Sequence, residues 1–206
     1  MKNIEPVRDW PLVAENTAVL VVDVQQSEMA PDILRKYPEY ARAMSERMLP
    51  NLSALVRGAR ENGCEIIYTV IEALTEDGRD VGLDHKLSGI LVPKGSPGAA
   101  LLEQAVPGPD DIVLPKTSSG VFNSTALAYL LRNMGITNLV VAGILTDQCV
   151  DMAIRDGADI GFYMICAHDA CASRTDERHA GALRAFGGYC RVQSVGEILA
   201  DIASAR

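Results

Sequence analysis

Six short runs rich in β-branched residues, most of them poor in charge, alternate along this chain with segments of helical pattern. Residues 17–24 (TAVLVVDV) and 138–144 (NLVVAGI) are apolar on consecutive positions rather than on every second one. A strand with no polar face has to be buried on both sides. Residues 65–71 (EIIYTVI) and 111–115 (DIVLP) read the same way, with further strands at 160–167 and 190–194. Strands alternating with helices imply a mainly parallel six-stranded sheet covered by helices on both faces, an α/β three-layer arrangement.

Residues 31–62 carry a helical pattern, with breaks expected at Pro38 and Pro50 and a stop at Asn62-Gly63. Residues 72–98 are rich in Gly, Asp and Lys and show no period. They read as a long functional loop, a lid or an interface. A short helix is expected near 99–105. Ser124 is placed as N-cap of a helix to Asn133 that Gly135 ends, and Thr146 or Asp147 as cap of one to about Asp156. Helices over 175–186 and 195–205 complete the pattern.

A chain of 206 residues, 48% apolar and 22% charged, fits a single domain over 1–206 with a sizeable core. The net charge is −8, with Lys and Arg scattered, so nothing reads as a nucleic-acid footprint. That balance does not exclude an anionic substrate, because a pocket can differ in sign from the whole molecule. The five cysteines have irregular spacing and no CxxC pair, which argues against a disulfide framework. The N-terminal stretch MKNIEPVRDWPLVAEN has no apolar core of a leader, and no apolar run nears the roughly 20 residues of a membrane helix. A cytoplasmic protein without membrane contact is the expectation.

Ligands of open α/β sheets bind outside the carboxyl ends of the strands. Asp23 ends the first run, Lys116 follows the third, and Cys149 opens the helix after the fourth. Taken singly these are a turn acid, a solvated lysine and a small core thiol. Gathered at one rim they are a set for acyl transfer. A thiolate attacks, a lysine and a helix N-terminus favour its charge, a carboxylate moves the proton, and backbone N–H groups of residues 145–149 hold the oxyanion. Neither GxGxxG nor a P-loop is present. His85, His168 and His179 are scattered, so no metal and no other cofactor is expected. Cys166 and Cys171 flank His168 and Asp169 and read as plain thiols beside a loop.

These motifs resemble those of the isochorismatase-like cysteine hydrolase superfamily, from Thr17 to about Ile202. VAGILTDQCV resembles the family's nucleophile turn G-x-x-T-D-x-C-V, TAVLVVDVQ its first strand with the catalytic Asp, and LPKTSSGVFNST its lysine segment. The resemblance implies a Rossmann-like sandwich, commonly assembled as a homodimer or tetramer. It implies hydrolysis of a carbon–nitrogen bond other than a peptide bond, in a small-molecule substrate. Asp23 is then general base and acid, Lys116 orients substrate and stabilises the thiolate, and Cys149 forms a thioester-type intermediate. It also implies a cis peptide at Ile144-Leu145, with the N–H groups of Leu145 and Cys149 as the oxyanion hole.

Two departures stand out. The nicotinamidase-like metal site of Asp and His after the second strand is absent from VIEALTEDG. The family's D-x-Q-N-D-F is D-V-Q-Q-S-E, so Gln25 matches and the aromatic is missing. Gln25, Glu72, Phe122 and Asn123 are the candidates for substrate contact, with Arg79 and Lys86 as candidates for a substrate carboxylate or an interface. Two other functions fit the same fold, a cysteine-independent vinyl ether hydrolase of the isochorismatase type and a non-catalytic binding protein.

Overall fold

The structure, a computed structural model, describes residues 8–205; the first residues of the N-terminal stretch read above for a leader lie outside them. Six strands form one sheet: β1 (Thr17–Val22), β2 (Glu65–Ile71), β3 (Ile112–Lys116), β4 (Asn138–Ile144), β5 (Tyr163–Ala172) and β6 (Cys190–Gln193). Their spatial order is β3-β2-β1-β4-β5-β6, and every pairing is parallel. The helices are α1 (Pro31–Lys36), α2 (Pro38–Ala43), α3 (Leu49–Glu61), α4 (Leu83–Leu87), α5 (Val121–Ser124), α6 (Leu127–Asn133), α7 (Asp151–Asp159), α8 (Asp176–Phe186) and α9 (Val195–Ser204).

Alternation along β1 divides the core in two. Val19 and Val21 face one layer with Leu52 and Leu55 of α3 and Ile198 and Ile202 of α9. Ala18, Leu20 and Val22 face the other, with Leu127 and Leu131 of α6, Ile154 of α7 and Phe186 of α8. All six β1 residues are buried, as a strand covered on both faces requires.

The order of strands fixes where a ligand can sit. From β1 the chain winds outward through β2 to β3, then returns to the other side of β1 for β4. Connections leave β1 and β4 in opposite directions, and this switch point opens a crevice at their carboxyl ends.

Several local expectations are corrected. The long helical pattern breaks at Tyr37, before Pro38, but not at Pro50. Pro50 lies in the first turn of α3, and the wide π-type turn (Met44–Met48) that carries the helical backbone from α2 into α3 is where the hydrogen-bond ladder accommodates it. Ser124 ends α5 instead of capping a helix, and its hydroxyl donates back to Gly120 O. Thr125 Oγ1 accepts from Leu127 N at the start of α6. Residues 97–105 hold only single turns. Ile160 caps α7, so β5 starts at Tyr163 and runs on to Ala172. The 72–98 segment contains α4 and is held by local bonds, with the Asp80 carboxylate accepting from Leu74 N and Thr75 N. No helix among the described residues is long and apolar enough to cross a membrane.

Candidate active site

Asp23 follows β1 with φ 54, a left-handed conformation taken by no other non-glycine residue among those described. Aspartate tolerates this region better than most residues. Here Thr69 holds it: Asp23 N donates to Thr69 O at 3.1 Å and to Thr69 Oγ1 at 3.3 Å, and Thr69 Oγ1 donates to Asp23 Oδ1 at 2.7 Å. The second oxygen, Oδ2, lies 2.8 Å from Lys116 Nζ and accepts no directed hydrogen bond.

Lys116 is the last residue of β3 and pairs with Ile71 across β2, so its side chain must pass the end of β2 to reach β1. Neighbouring strands lie about 4.8 Å apart, and the lysine and aspartate side chains reaching toward each other together cover the two spacings. The ammonium is fully buried. Apart from its ion pair with Asp23 it donates to Ser118 O at 2.8 Å, and it lies 3.5 Å from Cys149 Sγ. Burial opposes its charge, but the Asp23 carboxylate and the cysteine sulfur prevail and hold its pKa above the usual lysine value.

Cys149 sits in a wide turn (Thr146–Val150) between β4 and α7. Gly143 sets the approach: it has φ 125, and a Cβ there would lie 2.2 Å from Val22 O. Glycine alone lets β4 press this closely on β1. The peptide between Ile144 and Leu145 is cis. Neither Thr146 nor Asp147 caps α7 as expected. Thr146 Oγ1 is 2.8 Å from His179 Nδ1 on α8, and the Asp147 carboxylate accepts from Ser173 Oγ and Arg178. The turn is therefore tied to α8 from two successive residues. Burial pushes His179 down to about 4, so its ring is neutral at pH 7.

A depressed thiol pKa was the expectation, from the lysine and the helix end. The geometry reverses it. Burial first, and the facing Asp23 charge second, push the Cys149 thiol up to about 12, and Lys116 offsets only part of this. The resting group is a neutral thiol beside a formed Asp23–Lys116 ion pair.

A cavity of about 300 Å³ opens over these residues, with Asp23, Leu145 and Cys149 on one side and Glu28, His85 and Arg174 around it. The four candidates for substrate contact do not line it. Gln25 is buried as a clamp: Nε2 donates to Ile71 O and Gly98 O, and Oε1 accepts from Ile71 N at 2.7 Å. Glu72 accepts from Gly95 N. Phe122 stacks on Phe162 with centroids 5.9 Å apart, and Asn123 reaches Asp156 at the exposed end of α5. Arg79 pairs with Asp77, and Lys86 donates to Arg79 O.

Sequence reasoning missed what does line it. Glu28 and Arg174, 146 residues apart, are an ion pair at 2.6 Å. His85, almost fully buried, has Nε2 3.1 Å from Ser119 Oγ, and burial and the Lys116 charge lower its pKa. The missing aromatic of D-V-Q-Q-S-E was the available signal for Glu28. The 72–98 segment does reach the cavity, through His85 and Gly89 to Val92. Among the described residues no group of three His, Cys, Asp or Glu side chains could hold a metal ion.

The sequence matches the Isochorismatase domain over residues 17–197. It is 32% identical to ureidoacrylate amidohydrolase RutB of Azorhizobium caulinodans, with 80% of this chain and 81% of that protein covered. A cysteine hydrolase from Pseudomonas syringae pv. phaseolicola matches in structure with TM-score 0.86 at 24% identity, covering 98% of this chain and 99% of that one. N-carbamoylsarcosine amidase from Thermoplasma acidophilum matches with TM-score 0.72 at 23% identity, over 87% and 96%. At these identities the two structural matches carry the fold, which is the three-layer α/β fold read from the sequence.

Proposed function

The chain belongs to the isochorismatase family of hydrolases, and from that premise we propose that it is a cysteine-dependent amidohydrolase, cleaving a C–N bond of a small amide, ureido or carbamoyl compound. One observation carries the reading: Lys116 Nζ stands 2.8 Å from Asp23 Oδ2 and 3.5 Å from Cys149 Sγ, at the cavity and at the switch point of the sheet. The names of the similar proteins, an amidohydrolase of ureidoacrylate and an amidase of N-carbamoylsarcosine, point to the same bond.

The steps follow from the charge state of the site. The thiol is neutral at rest, so it loses its proton as it attacks. Sγ forms a bond to the carbonyl carbon while Asp23 Oδ2 takes the thiol proton. The carbonyl oxygen becomes an oxyanion, which the Leu145 and Cys149 N–H groups are positioned in sequence to receive. Asp23 then returns the proton to the nitrogen, the C–N bond breaks, and ammonia or an amine leaves. Water attacks the thioester-type intermediate, giving its proton to Asp23, and the acid or carbamate departs as the thiol re-forms. Lys116 stays charged throughout and stabilises the sulfur and Asp23 in turn.

The test is ammonia or amine release from a panel of small amides and ureides, run with the wild-type protein and Cys149→Ala in parallel. The expected result is release by the wild type and a loss of at least about 10³-fold in the variant. Release that survives in Cys149→Ala overturns the reading, and hydrolysis of a vinyl ether by that variant would replace it. A homo-oligomer is proposed alongside, supported by the exposed Leu83 and Leu87 of α4, and sedimentation velocity tests it.

A further inference from the structure

The cavity that Cys149 lines also presents a second ion pair that the chemistry above does not use. Arg174 follows the end of β5, with its Cζ over the Tyr40 ring at 4.6 Å from the centroid and over the Tyr37 ring at 5.3 Å. Its Nη2 donates to Glu28 Oε2 at 2.6 Å, and its Nη1 is buried with no partner. Arg174 lines the cavity, and a guanidinium with five N–H donors that makes this one bond to Glu28 keeps others for an acceptor there. Glu28 is itself largely buried and can accept a further N–H. It occupies the position where the resembling D-x-Q-N-D-F motif has an aromatic.

We propose that the non-reacting end of the substrate is a neutral carboxamide or ureido group, with its carbonyl accepting from the Arg174 guanidinium and its N–H donating to Glu28. This rests on the amidohydrolase reading, which places the reacting carbonyl over Cys149. A planar amide offers an acceptor and a donor side by side, matching the two sides of the pair. A carboxylate offers acceptors only and would confront Glu28 with a like charge.

The charges around the cavity favour the neutral group. Asp23 is offset by Lys116 and Glu28 by Arg174, so the site is balanced before a ligand arrives. An added anion would be a buried charge without its own counter-ion. The groups facing Glu28 are Arg174, Asp23, Lys116 and the Tyr40 hydroxyl. Burial, with a smaller contribution from the Asp23 charge, already holds Glu28 above the usual carboxylate range, against the pull of Arg174.

The experiment compares two probes on the Cys149→Ala protein by calorimetry at neutral pH: N-carbamoylglycinamide and N-carbamoylglycine, which differ only in a carboxamide against a carboxylate. The expected result is binding of the amide at least about ten-fold tighter. In the Glu28→Gln, Cys149→Ala protein the preference should reverse, because Arg174 is then left with unbalanced charge. Equal or tighter binding of the carboxylate by the protein with Glu28 intact, or binding of neither probe, overturns the proposal. No turnover enters this comparison, so its failure is distinct from loss of the hydrolase reading, which the ammonia assay judges.

Discussion

The cavity holds two carboxylate–cation pairs of nearly equal length, and they do different work. Asp23–Lys116, at 2.8 Å, is wholly out of water, and its two charges are shared with a sulfur and with backbone carbonyls. Glu28–Arg174, at 2.6 Å, keeps about a fifth of the glutamate and an eighth of the arginine side chain accessible. The deep pair is set by strand ends and by Thr69, so it cannot move without moving the sheet. The shallow pair joins a loop before α1 to a loop before α8 and leaves one guanidinium nitrogen idle. Length alone does not tell chemistry from recognition. Burial does.

The sharpest way to break this comparison is to remove each cation. Lys116→Met leaves Asp23 charged in the interior and should cost about 3–5 kcal/mol of folding stability. Arg174→Met leaves Glu28 within reach of water and should cost about 1 kcal/mol. Denaturant melts of the two variants decide it, and equal losses would erase the distinction.

The carboxylates separate next. Asp23→Asn removes the proton carrier and should lower kcat about 10³-fold with KM little changed. Glu28→Gln should leave kcat within a few-fold and raise KM for the preferred amide about ten-fold. A kcat loss in Glu28→Gln as large as that in Asp23→Asn would place the shallow pair in the chemistry.

The thiol itself gives a third contrast. With a pKa of about 12, Cys149 is far less ionised at pH 7 than a free cysteine, and its thiolate is the more nucleophilic one. The net effect is an iodoacetamide rate about 10²-fold below that of free cysteine at pH 7, rising with pH toward about 12. Slow alkylation is thus the expected behaviour of a catalytic cysteine in this site, and it does not argue for a non-catalytic protein. A fast rate at neutral pH would mean that Lys116 outweighs burial.

The same contrast explains what the sequence made legible. The limits of β2 and β4 are those read from the chain, because apolar runs buried on both faces have no other place to go. Asp23, Lys116 and Cys149 are legible because strand ends at a switch point converge whatever the loops do. The far side of the cavity is not. Glu28 and Arg174 meet across 146 residues, and no periodicity or local motif links them. Gln25 and Glu72 are near the chemistry in sequence, but the end of β2 and the segment between β2 and β3 take their side chains as hydrogen-bond partners. β5 overran its expected end at Ala167 because His168 and Asp169 looked like a loop; they sit in a register break, where β5 leaves β4 after Cys166 and rejoins it at Cys171.

The smallest effect concerns what steadies the deep site from outside. His179 is buried against Thr146 and held near 4, while an unfolded histidine titrates near 6.5. A depressed folded pKa means that the neutral ring contributes fully above about pH 6.5, and that this contribution is lost as pH falls toward 4. Protonation is resisted first by burial, then by the Arg47 and His168 charges, while Asp176 and Asp147 oppose them only in part. His179→Gln keeps a polar partner for Thr146 and removes the titration. Stability measured by urea melts from pH 7 to 4 should fall less in the variant, by on the order of 1 kcal/mol after allowance for solvent screening. Because Thr146 lies three residues before Cys149, kcat in the wild type should decline over the same acid range before the global melt, and in His179→Gln it should not. Parallel acid profiles for the two proteins would show that the α8 support of the turn has no bearing on the sulfur.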